Sequence, residues 1–220
     1  MKRPLIIGNW KAHKDVNLAK LWVEDLAQRW PQGEVKAEIA LAPAAIHLAV
    51  LSQLLLAKNL SVKLCAQDVS IFPEGAYTGE VTASMLVGLV DYVLVGHSER
   101  RKYFNESEEI LKKKVEETHE SGLKAIYCVS EAEMAVPMGV EIIAYEPLFA
   151  IGSGKPDTPK NADFVAGEIK KKYPTPVLYG GSVKPEIAKD FIQMQNLDGL
   201  LVGGASLTAS EFLAIIQNVA

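Results

Sequence analysis

Cysteine is nearly absent: Cys65 and Cys128 are the only two in 220 residues, each inside an apolar run and neither in a CxxC or Cys/His spacing. A disulfide framework and a zinc site both lack their ligands, and the two thiols read as buried core residues. Long hydrophobic runs are missing too. The most apolar window, residues 40–57, is broken by Pro43, His47, Ser52 and Gln53. It therefore reads as strand, turn and buried helix, where a membrane span needs ~20 uninterrupted residues. After Met1-Lys2-Arg3 the apolar stretch Leu5-Ile6-Ile7 stops at Gly8-Asn9, short of the ~7–15 residues of a signal peptide. A cytoplasmic protein with no membrane partner is expected. Excess charge of one sign is lacking as well, since Lys+Arg 23 against Asp+Glu 27 gives −4, which speaks against nucleic acid as the main partner. No Ser/Gly linker, charge block or low-complexity stretch divides the chain, so a single domain over 1–220 is expected.

What is present is a repeated rhythm of short apolar run, turn and helical pattern. The runs at 5–7, 39–41, 62–66, 92–95, 125–129, 142–145, 176–179 and 200–202 are too short for helices and almost continuously apolar, as strands buried on both faces must be. Between them Leu18, Leu21, Trp22 and Leu26 share one helical face, as do Ile46, Val50, Leu51 and Leu54, and Ala162, Val165, Ala166 and Ile169. Thr158-Pro159 supplies an N-cap and N1 proline, Pro185 opens a further helix, Gly122 closes one that begins near Ser107, and Thr208-Ala209-Ser210-Glu211 is a capping box. Eight parallel strands with crossover helices form either an open doubly wound sheet or a closed (β/α)8 barrel, and the count favours closure. One connection, 130–141, leaves room for at most a turn or two of helix, so the helix after the fifth strand is expected to be shortened or missing.

Several runs end in glycine followed by a polar or small residue: Gly8-Asn9, Gly96-His97-Ser98, Gly180-Gly181-Ser182 and Gly203-Gly204-Ala205-Ser206. Strand C-termini are where parallel α/β architectures bind ligands. Glycines let backbone N–H groups converge on an anion, and a helix starting at about Ser206 adds the positive end of its dipole, so a phosphate site is the natural hypothesis. Tight strand-to-helix turns are the plain alternative. Glu146 stands at another strand end beside apolar residues, which favours it as a base for a C–H proton, although a carboxylate there is often only a solvated end. The following Leu148-Phe149-Ala150-Ile151-Gly152-Ser153-Gly154-Lys155 joins apolar residues to two glycines able to hinge, the composition of a lid. His97 begins a short helix whose N-terminus favours the neutral imidazole, and Lys11, two residues beyond Asn9, can place an ammonium over an anion. His13, His47 and His119 read as surface or packing residues. With no metal cluster and no GxGxxG motif, the inventory fits proton transfer beside a carbonyl of a phosphorylated small molecule without a cofactor.

Through Gly8-Asn9-Trp10-Lys11, Gly75-Ala76-Tyr77-Thr78-Gly79-Glu80, Val95-Gly96-His97-Ser98-Glu99-Arg100-Arg101, Ala144-Tyr145-Glu146-Pro147, Tyr179-Gly180-Gly181-Ser182-Val183 and Leu201-Val202-Gly203-Gly204-Ala205-Ser206, the sequence resembles the triosephosphate isomerase family over nearly its whole length. The resemblance implies a single-domain TIM barrel that interconverts dihydroxyacetone phosphate and D-glyceraldehyde 3-phosphate through an enediolate, a step of glycolysis and gluconeogenesis. It implies Glu146 as base, neutral His97 as electrophile and proton shuttle, and Lys11 as the cation, with Asn9 beside it and Glu99 near Lys11 and His97. Gly152, Ser153, Ser182, Gly203 and Gly204 match the phosphate grip. Pro147 through Lys155 matches the lid, which would bring Ile151 and Leu201 against Glu146. Thr78 matches a residue inserted into a neighbouring subunit, implying a homodimer, with Gln67 and Asp68 in the same interface region. Phe149 stands where the family usually has tryptophan, so an indole hydrogen bond to the Glu131 position is lost. Leu148 and Ser130 also depart from the pattern, and the lid runs into Pro156-Asp157. The short 130–141 connection resembles a compact archaeal form with some tetrameric members, which keeps a tetramer as an alternative. A non-catalytic phosphate-binding barrel has no need to keep Lys11, His97 and Glu146 together.

Overall fold

The computed structural model describes residues 3–152 and 154–219. Eight strands, β1 (Leu5–Asn9), β2 (Glu38–Ala42), β3 (Val62–Ala66), β4 (Tyr92–Val95), β5 (Lys124–Val129), β6 (Val140–Tyr145), β7 (Val177–Tyr179) and β8 (Gly199–Val202), pair in parallel with their sequence neighbours. Closure is made by β1 and β8, where Leu5 faces Gly199 and Gly8 faces Val202. The protein is thus a single-domain closed (β/α)8 barrel, as the count of apolar runs suggests. The almost continuously apolar character of the runs has a simple cause. Ile7, Ala40, Cys65, Leu94, Ile126, Ala144, Leu178 and Leu201 point into the barrel, while alternate residues such as Ile6, Leu41, Val93, Tyr127, Ile143 and Val202 pack outward against helices. A strand dry on both faces has no polar alternate.

The helices among the described residues are α1 (Val16–Arg29), α2 (Leu48–Ala57), α3 (Ala83–Leu86), α4 (Ser98–Phe104), α5 (Glu108–Glu120), α6 (Pro159–Lys172), α7 (Pro185–Ile192) and α8 (Ala209–Val219). Their ends follow the expected caps: Ser107 accepts from the Ile110 amide, Thr158 accepts from the Asn161 amide ahead of an N1 proline, and Gly122 takes φ +73 just past α5. No helix spans residues 130–139. The gap is covered instead by the end of α6, where Lys172 donates to the Ala132 carbonyl at 2.9 Å and the Tyr173 hydroxyl accepts from the Val136 amide at 3.2 Å.

Two helical faces differ from the sequence expectation. On α1 the buried stripe is Ala19, Trp22, Val23 and Leu26, leaving Leu18 and Leu21 more than half exposed. Trp22 and Leu26 are common to both stripes, with Trp22 edge-on against Trp10 (4.9 Å between ring centres) and beside Phe212, and the small Ala19 and Val23 take the buried places expected of Leu18 and Leu21. Ile46 sits exposed in a 3₁₀ turn, and α2 buries Leu48, Leu51 and Leu55, with Val50 and Leu54 only half-buried. A third correction concerns β8. Ser206 belongs to a 3₁₀ turn, Gly204–Ser206, closed by its hydroxyl and amide on the Gly203 carbonyl, and α8 begins at Ala209. The face Ala162, Ala166 and Ile169, with Val165 at its edge, packs on the barrel as read.

Candidate active site

The strand C-termini deliver their residues to one rim. Asn9 ends β1, His97 follows β4 and caps α4, Glu146 follows β6, Gly180 follows β7, and Gly203 and Gly204 follow β8. Asn9, Lys11, His97, Glu146, Gly152, Ser182, Gly203 and Gly204 line one cavity of about 760 Å3, together with Ile151 and Leu201. Glu99 lies outside this lining but reaches it through Lys11, whose ammonium it holds at 2.5 Å. Ser153 lies outside the described residues. Thr78 is exposed on the 70–80 loop, where Phe72 and Tyr77 stack with ring centres 4.1 Å apart, and it lines no part of the cavity.

His97 and Glu146 form the centre of the site, and both are buried. The Glu99 amide donates to His97 Nδ1 at 3.2 Å, closer than the Glu99 carboxylate at 3.7 Å. A nitrogen that accepts an N–H bears no proton, so the ring proton sits on Nε2. That Nε2 faces Glu146 Oε1 at 3.1 Å, and Oε2 accepts from the Ser98 amide at 3.1 Å. Ser98, part of the His97 motif but not singled out from the sequence, thus orients the carboxylate through its backbone. Gly180 is required by proximity, because a Cβ there would stand 2.9 Å from Glu146 Cγ. Beneath them lies Cys128, whose thiol is pushed well up by burial and then by the Glu146 charge, so it stays un-ionised beside the carboxylate. Cys65 is buried and raised by the same cause, and both are free thiols.

The segment after Glu146 makes a 3₁₀ turn, Leu148–Ala150, with Leu148 and Phe149 well exposed and Ala150 buried. Gly152 and Gly154 take φ +63 and +71, a region in which a side chain is strained. Ser182 Oγ donates to the Ala150 carbonyl at 2.6 Å, tying this segment to the strand end that also lines the cavity. Its far end is anchored by Asp157, which accepts from the Thr158 amide and Asn161 side chain at 2.7 Å each, while its own amide donates to the Tyr179 hydroxyl at 2.8 Å. Burial first, then the Asp157 charge, pushes the Tyr145 hydroxyl up to about 12, so it remains a donor toward that carboxylate. The Pro156-Asp157 departure therefore has a structural use, since Asp157 fixes the far end of this segment.

Fold and site define a (β/α)8-barrel enzyme with its cavity at the carboxyl ends of the strands. The family model described as Triosephosphate isomerase matches residues 4–219. Relatives named Triosephosphate isomerase include those of Thermus thermophilus, 38% identical over 251 aligned positions covering 99% of both chains, and of Xanthomonas campestris, 38% identical with 100% and 99% covered. That of Mycoplasma pneumoniae is 35% identical, with 99% of each chain covered. The chain belongs to the triosephosphate isomerase family and is an isomerase. No helix among the described residues is long and apolar enough to cross a membrane.

Proposed function

We propose that the chain interconverts dihydroxyacetone phosphate and D-glyceraldehyde 3-phosphate, and that Glu146, His97 and Lys11 carry the reaction. The observation that carries this reading is the 3.1 Å approach of His97 Nε2 to a buried Glu146 in a cavity shared with Lys11 and the Gly203-Gly204 turn. At rest the single Nε2 proton serves the carboxylate. A substrate carbonyl that takes that proton as its hydrogen-bond donor releases Oε1 to attack a C–H bond. Glu146 removes a proton from C1, and the electron pair moves onto the carbonyl oxygen. His97 donates to that oxygen while the Lys11 ammonium offsets the negative charge. Once the Nε2 proton has passed to that oxygen, the resulting imidazolate takes the proton of the neighbouring hydroxyl, and protonated Glu146 returns its own proton to C2 as the C1–O bond becomes the new carbonyl. Asn9 and Glu99 hold Lys11. Gly203, Gly204, Ser182, Gly152 and Ser153 grip the phosphate, and no cofactor enters the scheme.

Residues 147–155 act as the lid. Their closure excludes water and protects an enediolate that would otherwise expel phosphate. Replacing Phe149 by Trp should change the rate of opening and closing, with little effect on proton transfer; equal lid exchange in both proteins by relaxation dispersion overturns this reading. The exposed Phe72–Tyr77 stack beside Thr78 supports an isologous homodimer, with a tetramer the alternative. A cytoplasmic location is part of the proposal, supported by the place of this reaction in glycolysis and gluconeogenesis.

The test is isomerisation of D-glyceraldehyde 3-phosphate in chelator-treated buffer, coupled to NADH oxidation, with light scattering on the same sample. Turnover that survives chelation and a mass of two chains of 23.9 kDa are expected. A folded protein that binds phosphate yet leaves both trioses unchanged overturns the enzymatic reading, and the mass of one chain overturns the assembly.

A further inference from the structure

Lys11 is one of few non-glycine residues here with positive φ, at +53, a conformation that a lysine adopts only when its surroundings impose it. Three contacts do so. Its amide donates to Asn9 Oδ1 at 3.0 Å, its ammonium meets Glu99 at 2.5 Å, and its carbonyl accepts from Gln67 Nε2 at 2.9 Å. The same Gln67 nitrogen donates to the Ala42 carbonyl at 2.7 Å, at the end of β2. Both partners are carbonyl oxygens, so the amide nitrogen must face them, and both of its protons are used. Gln67 directly follows β3 and is half-buried, yet it lines no part of the cavity. Among the described residues its hydrogen bond to the cavity lining is the one to Lys11.

The residues beside these clamps are themselves joined. Asp68 meets Arg100 at 2.9 Å and Lys114 at 2.5 Å, and Arg100 and Lys114 share Glu106 Oε1 at 2.8 and 2.6 Å. Residue 67 holds the Lys11 backbone and residue 99 its ammonium. Residues 68 and 100 fix the two holders to each other through an alternating ring of two cations and two anions.

We propose that Gln67 is a positioning residue: it holds Lys11 in its left-handed conformation and thereby sets where the ammonium stands in the cavity. The inference rests on the isomerase reading for its kinetic consequence, though not for its geometry. A cation displaced by even an ångström loses much of its effect on a developing oxyanion.

The test compares Gln67→Met, which keeps length and removes both donors, with Gln67→Glu, which keeps volume and sets an anion against two carbonyls. Each is made in the wild-type and Lys11→Met backgrounds, and either suffices if the other fails to fold. With Lys11 present, kcat/KM should fall roughly 10- to 100-fold; in the Lys11→Met background the further loss should stay under roughly 2-fold, the non-additivity expected of groups acting through each other. Equal losses in both backgrounds would mean general disruption and overturn the proposal. Crystal structures of the variants should show Lys11 out of the left-handed region. Retention of φ near +53 with the ammonium still on Glu99 overturns the proposal whatever the kinetics. If the wild type leaves both trioses unchanged, the isomerase reading fails, and the position of Lys11 in the variant crystals still decides the role of Gln67.

Discussion

Glu146→Gln should lower kcat by on the order of 10²–10⁴ while leaving the affinity for a phosphate-bearing substrate analogue nearly unchanged. The substitution keeps the shape of a side chain that is almost completely buried, so packing around Gly180 and Cys128 has no reason to change. What it removes is the ability to accept a proton from carbon. It also disturbs the resting site, since the carboxylate now accepts from both His97 Nε2 and the Ser98 amide, and an amide group presents only one acceptor oxygen. One of the two donors loses its partner. The stretch of the cavity lined by Ser182, Gly203 and Gly204, which we propose as the phosphate grip, is untouched. A loss of this size corresponds to about 3–5 kcal/mol of barrier. The decisive comparison is kcat against the analogue's Kd, measured on the same preparation. Turnover equal to wild type would take the base role from Glu146, and a parallel loss of analogue binding would show that the substitution had collapsed the cavity.

Which parts of this molecule can be read from sequence follows from the range of the interactions involved. The strands are legible because burial on two faces leaves an unbroken apolar signature, and the rim residues because they follow that signature directly: Asn9, His97 and Glu146 each stand where an apolar run ends. Caps such as Ser107 and Thr158 are equally local, acting three residues away. The face that α1 presents is not local. Two stripes share Trp22 and Leu26 on its sequence, and the barrel selects the one that adds Ala19 and Val23 over the one that would bury Leu18 and Leu21. Gln67 shows the same limit within the site. Nothing near residue 67 announces that its amide will meet the backbone of residue 11, because only barrel closure brings the ends of β1, β2 and β3 together. The 3₁₀ turn after β8 falls between these cases: Gly203 and Ser206 mark a turn, but the internal hydrogen bonds that delay α8 to Ala209 are visible only in three dimensions.

Gly199→Ala should be the most damaging single methyl group in the barrel wall. A Cβ at this position would lie 2.0 Å from the Leu5 carbonyl oxygen and 2.8 Å from a Leu178 methyl. The first neighbour is backbone and cannot rotate aside, so β1 and β8 must part where their pairing closes the sheet, at Leu5 opposite Gly199. Overpacking alone costs about 1–3 kcal/mol, and each ladder hydrogen bond lost at the seam adds about 1 kcal/mol. A total on the order of 3–5 kcal/mol lowers Tm by roughly 10 °C for a chain of this length. Gly33→Ala is the control, because a Cβ there meets nothing within 4 Å. Thermal unfolding of the two variants beside the wild type gives the answer: a Gly199→Ala protein that melts within about 2 °C of wild type would mean that the seam yields without breaking its ladder. The expected large fall, with Gly33→Ala unchanged, would locate the closure of the barrel at a strand position where an added Cβ runs into the neighbouring backbone.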